Sequence, residues 1–281
     1  GYWGHAVGSL IDALEILHSA TGGKMDVFGD PLVRAIGQFI VRAHIAGDYF
    51  VPIGDCAARL EPDRGLVFRC GKRLNDPDLK ALASADASVE SLMGSKDLSV
   101  LTRVGAMNQP LTRPPGDLSL TTGEGQMEGA RFTGSRYLGR QLSTVFAAGE
   151  ILTAGAVSAP LLRDVWLSSD EMQLMAARAR GGSGDGLYLA AWGGHNAQSH
   201  NHNDVGNWLV FADGQPVFVD AGAPTYTAQT FSSRRYEHWA FQSDFHNLPT
   251  INGVMQGAGR RFAASGVRCT TNEMFAELRM D

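Results

Sequence analysis

The sequence predicts an α+β protein, helices first and an antiparallel β-domain second. Three observations carry this. Apolar residues recur at helical spacing in the first half, as in Val7, Leu10, Ile11, Leu14 and Leu17. The Asp-Pro pairs at 30–31 and 76–77 each read as a helix cap followed by proline at the first helical position. After Pro160 the pattern changes to short runs of β-formers between glycines. Helices then strands suggests two domains joined in sequence, not an alternating α/β fold.

In order, the first helix is expected over Tyr2 to Ala20, stopped by Thr21-Gly22-Gly23. The second runs from Pro31 to about Ala46, and Tyr49 to Asp55 is a loop or short extended piece. A third opens at Pro77, with Leu79, Leu82, Ala83 and Leu92 on one face. Residues 95–129 are poorly patterned, and Arg113-Pro114-Pro115-Gly116 cannot be helix interior. A further helix is expected over Ser135 to Leu152. Strands are expected over Met172–Ala176, Gly186–Trp192, Asn207–Phe211, Val217–Val219 and Val267–Thr271. The domain boundary is placed near Ala159, giving domains 1–159 and 160–281.

Composition bounds the function. The net charge is −5 and no basic run or RNA-binding motif is present, so a nucleic-acid partner is not expected. No stretch is apolar enough to span a bilayer, and no membrane partner is expected. Cys56, Cys70 and Cys269 are odd in number and form no C-x-x-C pair, so they read as small buried hydrophobes. The chain opens on Gly1-Tyr2-Trp3 and closes on Phe275-Ala276-Glu277-Leu278, which reads as mid-strand. A piece of a longer protein is therefore expected.

The chemistry concentrates between Gly194 and Gln256, where five of the eight histidines fall. His200, His202 and Asp204 share one face if their segment is extended. His202, Asp220 and His246 suit a zinc site by residue type. The hairpin between them raises a difficulty. A two-residue turn at Asp213-Gly214 pairs Ala212 with Gln215, and hence Asp220 with Asn207, on the face opposite His202. A joint site therefore needs a register shift of one residue, by a bulge at Gly206 or a three-residue loop with Gly214 left-handed. His246-Asn247 reads equally as a ligand or a loop-capping pair. Tyr226 and Arg234-Arg235-Tyr236 add phenols and guanidiniums suited to a carboxylate or sulfate, with a solvated surface pair as the alternative. Tyr2, at a helix start, reads locally as packing; His5, His18 and His44 read as structural or surface groups.

The runs S-H-N-H-N-D-V-G-N-W, G-Q-P-V-F-V-D-A-G, R-R-Y-E-H-W and F-H-N-L-P-T-I-N-G-V-M-Q together resemble the heparinase II/III family of polysaccharide lyases. The N-terminal G-Y-W-G-H-A-V-G-S-L is similar to a late helix of that family's α/α toroid. The resemblance is strong over Gly186 to Gln256 and weaker over Lys72 to Gly129. It implies an incomplete α/α toroid followed by part of an antiparallel β-sandwich, and β-elimination on a uronic-acid-containing polysaccharide such as heparan sulfate. It also implies catalytic roles for Tyr2 and His200, one structural zinc on His202, Asp220 and His246, and substrate contacts from Tyr226, Arg234 and Tyr236. A further toroid Asn or His is expected upstream of Tyr2. A periplasmic or secreted location is the expectation that goes with such an enzyme. The alternatives are an alginate or other polyuronate lyase and a non-catalytic, zinc-stabilised carbohydrate-binding protein. A cupin-like oxygenase is disfavoured, because the glutamate that should follow H-x-H is absent.

Overall fold

The computed structural model describes residues 2–88, 91–92, 138–154 and 157–281. It is α+β, with five α-helices and antiparallel sheets among the described residues. The poorly patterned stretch 95–129, including Arg113 to Gly116, and the start of the helix expected from Ser135 lie outside the described residues. The chain divides into two compact units, Gly1–Glu61 with Ala159–Asp281, and Pro62–Ser158.

The first unit opens with helix α1 (Trp3–Ala20) and helix α2 (Pro31–Arg42), whose Asp30 side chain accepts from the Leu32 N–H at 2.7 Å. Contrary to the expectation, α2 does not reach Ala46. The chain turns at Ala43 and forms a short hairpin, β1 (His44–Ala46) and β2 (Tyr49–Phe50), around Gly47 at φ +54°. The reason is tertiary: Ile45 and Val51 are buried against a sheet, which helix propensity alone does not anticipate.

That sheet has five antiparallel strands in the order β3 (Asp164–Ser168), β4 (Gln173–Arg178), β5 (Leu187–Trp192), β7 (Trp208–Ala212) and β8 (Gln215–Phe218). Alternate residues Leu174 and Ala176, Tyr188, Ala190 and Trp192, and Leu209 and Phe211 form one core with Ile45 and Val51. Within this unit Arg178 fixes the hairpin to the sheet. Its guanidinium donates to the carbonyls of His44, Ile45 and Leu162 at 3.0, 2.9 and 2.7 Å. Smaller pairs join β6 (His195–Asn196) to β9 (Gly259–Ala263) and β10 (Arg268–Thr271) to β11 (Ala276–Arg279).

The β7–β8 hairpin settles the register question. Asp213 and Gly214 have φ +50° and +73°, both left-handed as a type I′ turn needs. Ala212 pairs with Gln215 and Phe211 with Pro216, but Val210 pairs with Phe218. One extra residue, Val217, is therefore accommodated in β8. The shift has the size that a joint site requires. It sits in β8, not at Gly206, and it leaves the two-residue turn intact.

The second unit packs α3 (Arg64–Arg73), α4 (Pro77–Ser84) and α5 (Leu138–Thr153). The cap at Asp76 forms as expected, its carboxylate accepting from the Asp78 and Leu79 N–H groups at 3.0 Å each. Leu92 lies beyond the end of α4 and is not on its face. α3 was not anticipated from the sequence. Its buried residues are Gly65, Leu66, Val67, Phe68, Cys70 and Gly71, and the two glycines weaken a helical reading.

Candidate active site and metal centre

The residues from Ala197 to Gly206 form turns and irregular backbone instead of an extended run. His200, His202 and Asp204 therefore do not share a strand face, which corrects the sequence expectation. His200 takes φ +58°, a left-handed conformation that non-glycine residues adopt at a cost. The cause of the irregularity lies in the β2–α3 loop. There the Asp55 N–H donates to the His200 carbonyl at 3.0 Å, and Gly54, at φ +60°, brings the two backbones together.

The Asp55 side chain is fully shielded from solvent and joins four groups. Its Oδ2 lies 3.0 Å from His200 Nδ1 and accepts from the Tyr226 hydroxyl at 3.0 Å. Its Oδ1 lies 3.1 Å from His202 Nε2 and accepts from the Arg235 guanidinium at 2.6 Å. Burial pushes the Asp55 carboxyl up, but the bonds from His202, Arg235 and His200 outweigh it and hold the group well below the usual carboxylate range. Tyr226 is held in its protonated form by burial and by its bonds to Tyr2 and Asp55, which raise its pKa.

Tyr2 and His200, far apart in the sequence, come together. Their ring centroids are 4.6 Å apart, and Tyr2 Oη lies 3.1 Å from Tyr226 Oη. Because the Tyr226 proton goes to Asp55, Tyr2 donates in the phenol–phenol bond. Tyr2 and His200 line a cleft of about 390 Å³. No Lys or Arg is among the described residues lining it.

The other expected contacts divide. Tyr226 belongs to the hydrogen-bonded group just described. Tyr236 donates to Asn201 Oδ1 at 2.7 Å. Arg234 points elsewhere: its guanidinium is exposed and pairs with Glu237 at 2.7 Å. Its neighbour Arg235 occupies the place beside Asp55 and covers the Phe241 ring at 3.9 Å. Neither Asp55 nor Arg235 was picked out from the sequence. Arg235 at least lay in a run already marked as cationic; Asp55 sits in a loop without pattern, and nothing short of the fold pairs it with His200. A second unanticipated carboxylate, Glu171, accepts from buried His195 Nε2 at 2.8 Å. The Ala197 N–H donates to that ring's Nδ1, which leaves Nε2 as the protonated nitrogen.

His202, Asp220 and His246 do converge. One donor atom from each lies within 4.8 Å of the others, so the triad can hold a metal ion. His246 Nδ1 and Asp220 Oδ2 are 2.7 Å apart, and Asn207 Nδ2 donates to the same oxygen at 2.6 Å. His202 Nδ1 is buried and has no partner among the described residues. A buried nitrogen left unpaired is costly, and an ion would satisfy it. The nitrogen–oxygen donor set fits zinc. Burial pushes Asp220 up and His246 down, but the bond between them reverses both, leaving Asp220 lowered and His246 raised. Asp204, buried beneath the triad, is raised by desolvation and accepts from Trp192 Nε1 at 3.0 Å.

A phenol and an imidazole, their ring planes tilted by 41°, thus meet at a cleft beside a metal-capable triad. Residues 187–279 match the family model of the heparinase II/III-like C-terminal domain. The expected resemblance to the heparinase II/III family, in general a family of polysaccharide lyases, is thereby shown over these residues. The match runs from β5 through β11 and includes His200, the metal-capable triad, Tyr226 and Arg235. No curated protein matches the chain. The three cysteines are free, Cys56 and Cys70 buried and Cys269 half-buried. No helix among the described residues is long and apolar enough to cross a membrane.

Proposed function

We propose that the protein is a polysaccharide lyase that cleaves a uronic-acid-containing polysaccharide by β-elimination. The observation that carries the reading is the juxtaposition of Tyr2 and His200 at the cleft, 4.6 Å between ring centroids, with His200 inside the residues that match the family model. The C5 proton of a uronate becomes removable once its carboxylate is neutralised, and O4 needs a proton as it leaves. His200 has Nδ1 committed to Asp55, so its Nε2 is the nitrogen that takes the C5 proton. The Tyr2 phenol protonates O4. Tyr226 and Tyr236 flank this pair as substrate contacts, and Arg234 reaches the polymer from the exposed rim. His202, Asp220 and His246 hold one zinc ion, which supplies structural cross-linking of the loops that shape the cleft. An incomplete α/α toroid and part of a β-sandwich are the architecture this reading assigns to the two halves. Acidic polysaccharides lie outside the cytoplasm, so a periplasmic or secreted location accompanies it.

Heparan sulfate is the first substrate class to test. The absence of Lys and Arg from the described cleft lining favours a second, a less sulfated polyuronate such as alginate. The experiment is the absorbance of unsaturated uronate released by the full-length protein from heparan sulfate, chondroitin sulfate, hyaluronan and alginate. Product on one polymer, lost in His200→Ala, is the expected result. No product on any would sink the lyase reading and leave a zinc-stabilised carbohydrate-binding protein.

A further inference from the structure

We propose that Asp55 is the positioning residue of this site: one carboxylate sets opposite tautomers on His200 and His202, serving the proton-transfer cleft and the metal triad together. The inference rests on the roles just assigned to those two histidines, and it adds the residue that makes both roles available.

The argument is one of donors and acceptors. An ionised carboxylate only accepts hydrogen bonds. Its contact with His200 Nδ1 at 3.0 Å therefore requires the proton on Nδ1, and its contact with His202 Nε2 at 3.1 Å requires the proton on Nε2. The lone pairs are left on the other nitrogens. On His200 that is Nε2, the atom needed as a base. On His202 it is Nδ1, which is buried and has no partner among the described residues. A histidine that ligates a metal characteristically donates its second ring N–H to a carboxylate, which fixes ring and tautomer. Here the same carboxylate does this for a ligand and for its neighbour two residues away. Tyr226 and Arg235 occupy the remaining acceptor positions, one on each oxygen, so Asp55 is fully bonded while shielded from water.

The backbone supports the same assignment. Asp55 holds His200 twice, by its N–H on the His200 carbonyl at 3.0 Å and by its side chain on Nδ1. Those bonds retain His200 at φ +58°, a strained value that persists only where the surroundings enforce it. A Cβ on Gly54 would lie 2.5 Å from the His200 carbonyl oxygen, so the close approach depends on glycine there. Backbone strain at one residue and an unpaired nitrogen two residues on are both accounted for by one side chain.

Asp55→Asn tests this. An amide has one acceptor oxygen and cannot accept from both imidazoles, so at least one ring must change tautomer. In the zinc-loaded full-length protein, long-range nitrogen–proton spectra of the wild type are expected to place the proton on Nδ1 of His200 and Nε2 of His202. In Asp55→Asn at least one of these assignments switches. Zinc affinity, read by chelator competition, falls about 10–100-fold. Release of unsaturated uronate falls about 10²–10⁴-fold in kcat with little change in KM. A wild-type His200 protonated on Nε2 would overturn the inference without any variant. So would an Asp55→Asn protein that keeps both tautomers and its zinc affinity. Wild-type protein that shows the stated tautomers but yields no product on any polyuronate overturns the lyase reading and leaves the positioning role of Asp55 standing.

Discussion

Two adjacent arginines, Arg234 and Arg235, differ in everything but sequence position. Arg235 is mostly buried and bonds Asp55, the Asn201 carbonyl and the Thr230 carbonyl; Arg234 is exposed and pairs with Glu237. An exposed pair contributes little, whereas removing one partner of a buried pair leaves a charge without compensation. Arg235→Ala is therefore expected to lower both thermal stability and product release far more than Arg234→Ala, read from melting curves and the uronate assay. Equal effects would place the working cation at Arg234. A second residue-scale test concerns His44, buried on Phe50 with Nε2 2.9 Å from the Gly47 carbonyl. Burial lowers its pKa, the Gly47 bond opposes this, and Arg178 lowers it further. The unfolded value is about 6.5. As pH falls through that value the unfolded chain takes up a proton that the folded chain refuses, so the unfolded state gains. The stabilisation is present above about pH 6.5 and is lost as pH falls below it. Urea midpoints at pH 7.5 and 5.5 are expected to drop more in wild type than in His44→Gln; an equal drop would remove His44 from the account.

At the scale of elements, close approach decides between helices that propensity treats alike. A Cβ on Gly65 in α3 would meet Thr144 Oγ1 of α5 at 1.9 Å, while one on Gly149 in α5 would meet nothing among the described residues within 4 Å. Gly65→Ala is expected to destabilise by about 1–3 kcal/mol through overpacking. Gly149→Ala is expected to stabilise by about 0.5–1 kcal/mol, since alanine has less backbone freedom to lose. Opposite signs in chemical denaturation are the prediction, and a stabilising Gly65→Ala would mean that α3 and α5 stand further apart. The same contrast explains what was legible in the sequence. α1, β5, β7 and the Asp213-Gly214 turn could be read because cap, period and turn chemistry are local. α3 could not, because Gly65 and Gly71 count against a helix by propensity, and α2 was read too long because burial of Ile45 ended it. The triad was legible from residue types, and the need for a shifted register was legible from strand arithmetic. The bulge at Val217 was not, since nothing local distinguishes it from a regular strand position. Asp55 was invisible for the deepest reason: its role consists wholly of contacts between the β2–α3 loop and residues more than a hundred positions away.

For the molecule as a whole, the metal-capable triad gathers three separate segments of the unit formed by Gly1–Glu61 and Ala159–Asp281. His202 precedes β7, Asp220 follows β8, and His246 follows the short helical turn Ser243–Phe245. An ion held by all three ties together loops that no long helix or strand secures, and it binds only the folded arrangement. Ligand binding to the native state alone adds about 2.7 kcal/mol of stability when free ligand is a hundredfold above its Kd. Zinc added to chelator-treated protein is therefore expected to raise the melting temperature in a concentration-dependent way. It should also slow amide exchange around residues 200–222 and 239–247. His246→Ala is expected to abolish both effects, because two remaining ligands do not close a structural site. The amides of α3, in the unit that contributes no ligand, provide the internal reference. Slowed exchange confined to the triad's own loops would tie zinc to the architecture of the cleft. A zinc effect that survives His246→Ala would move the ion to another site and strip the triad of its role.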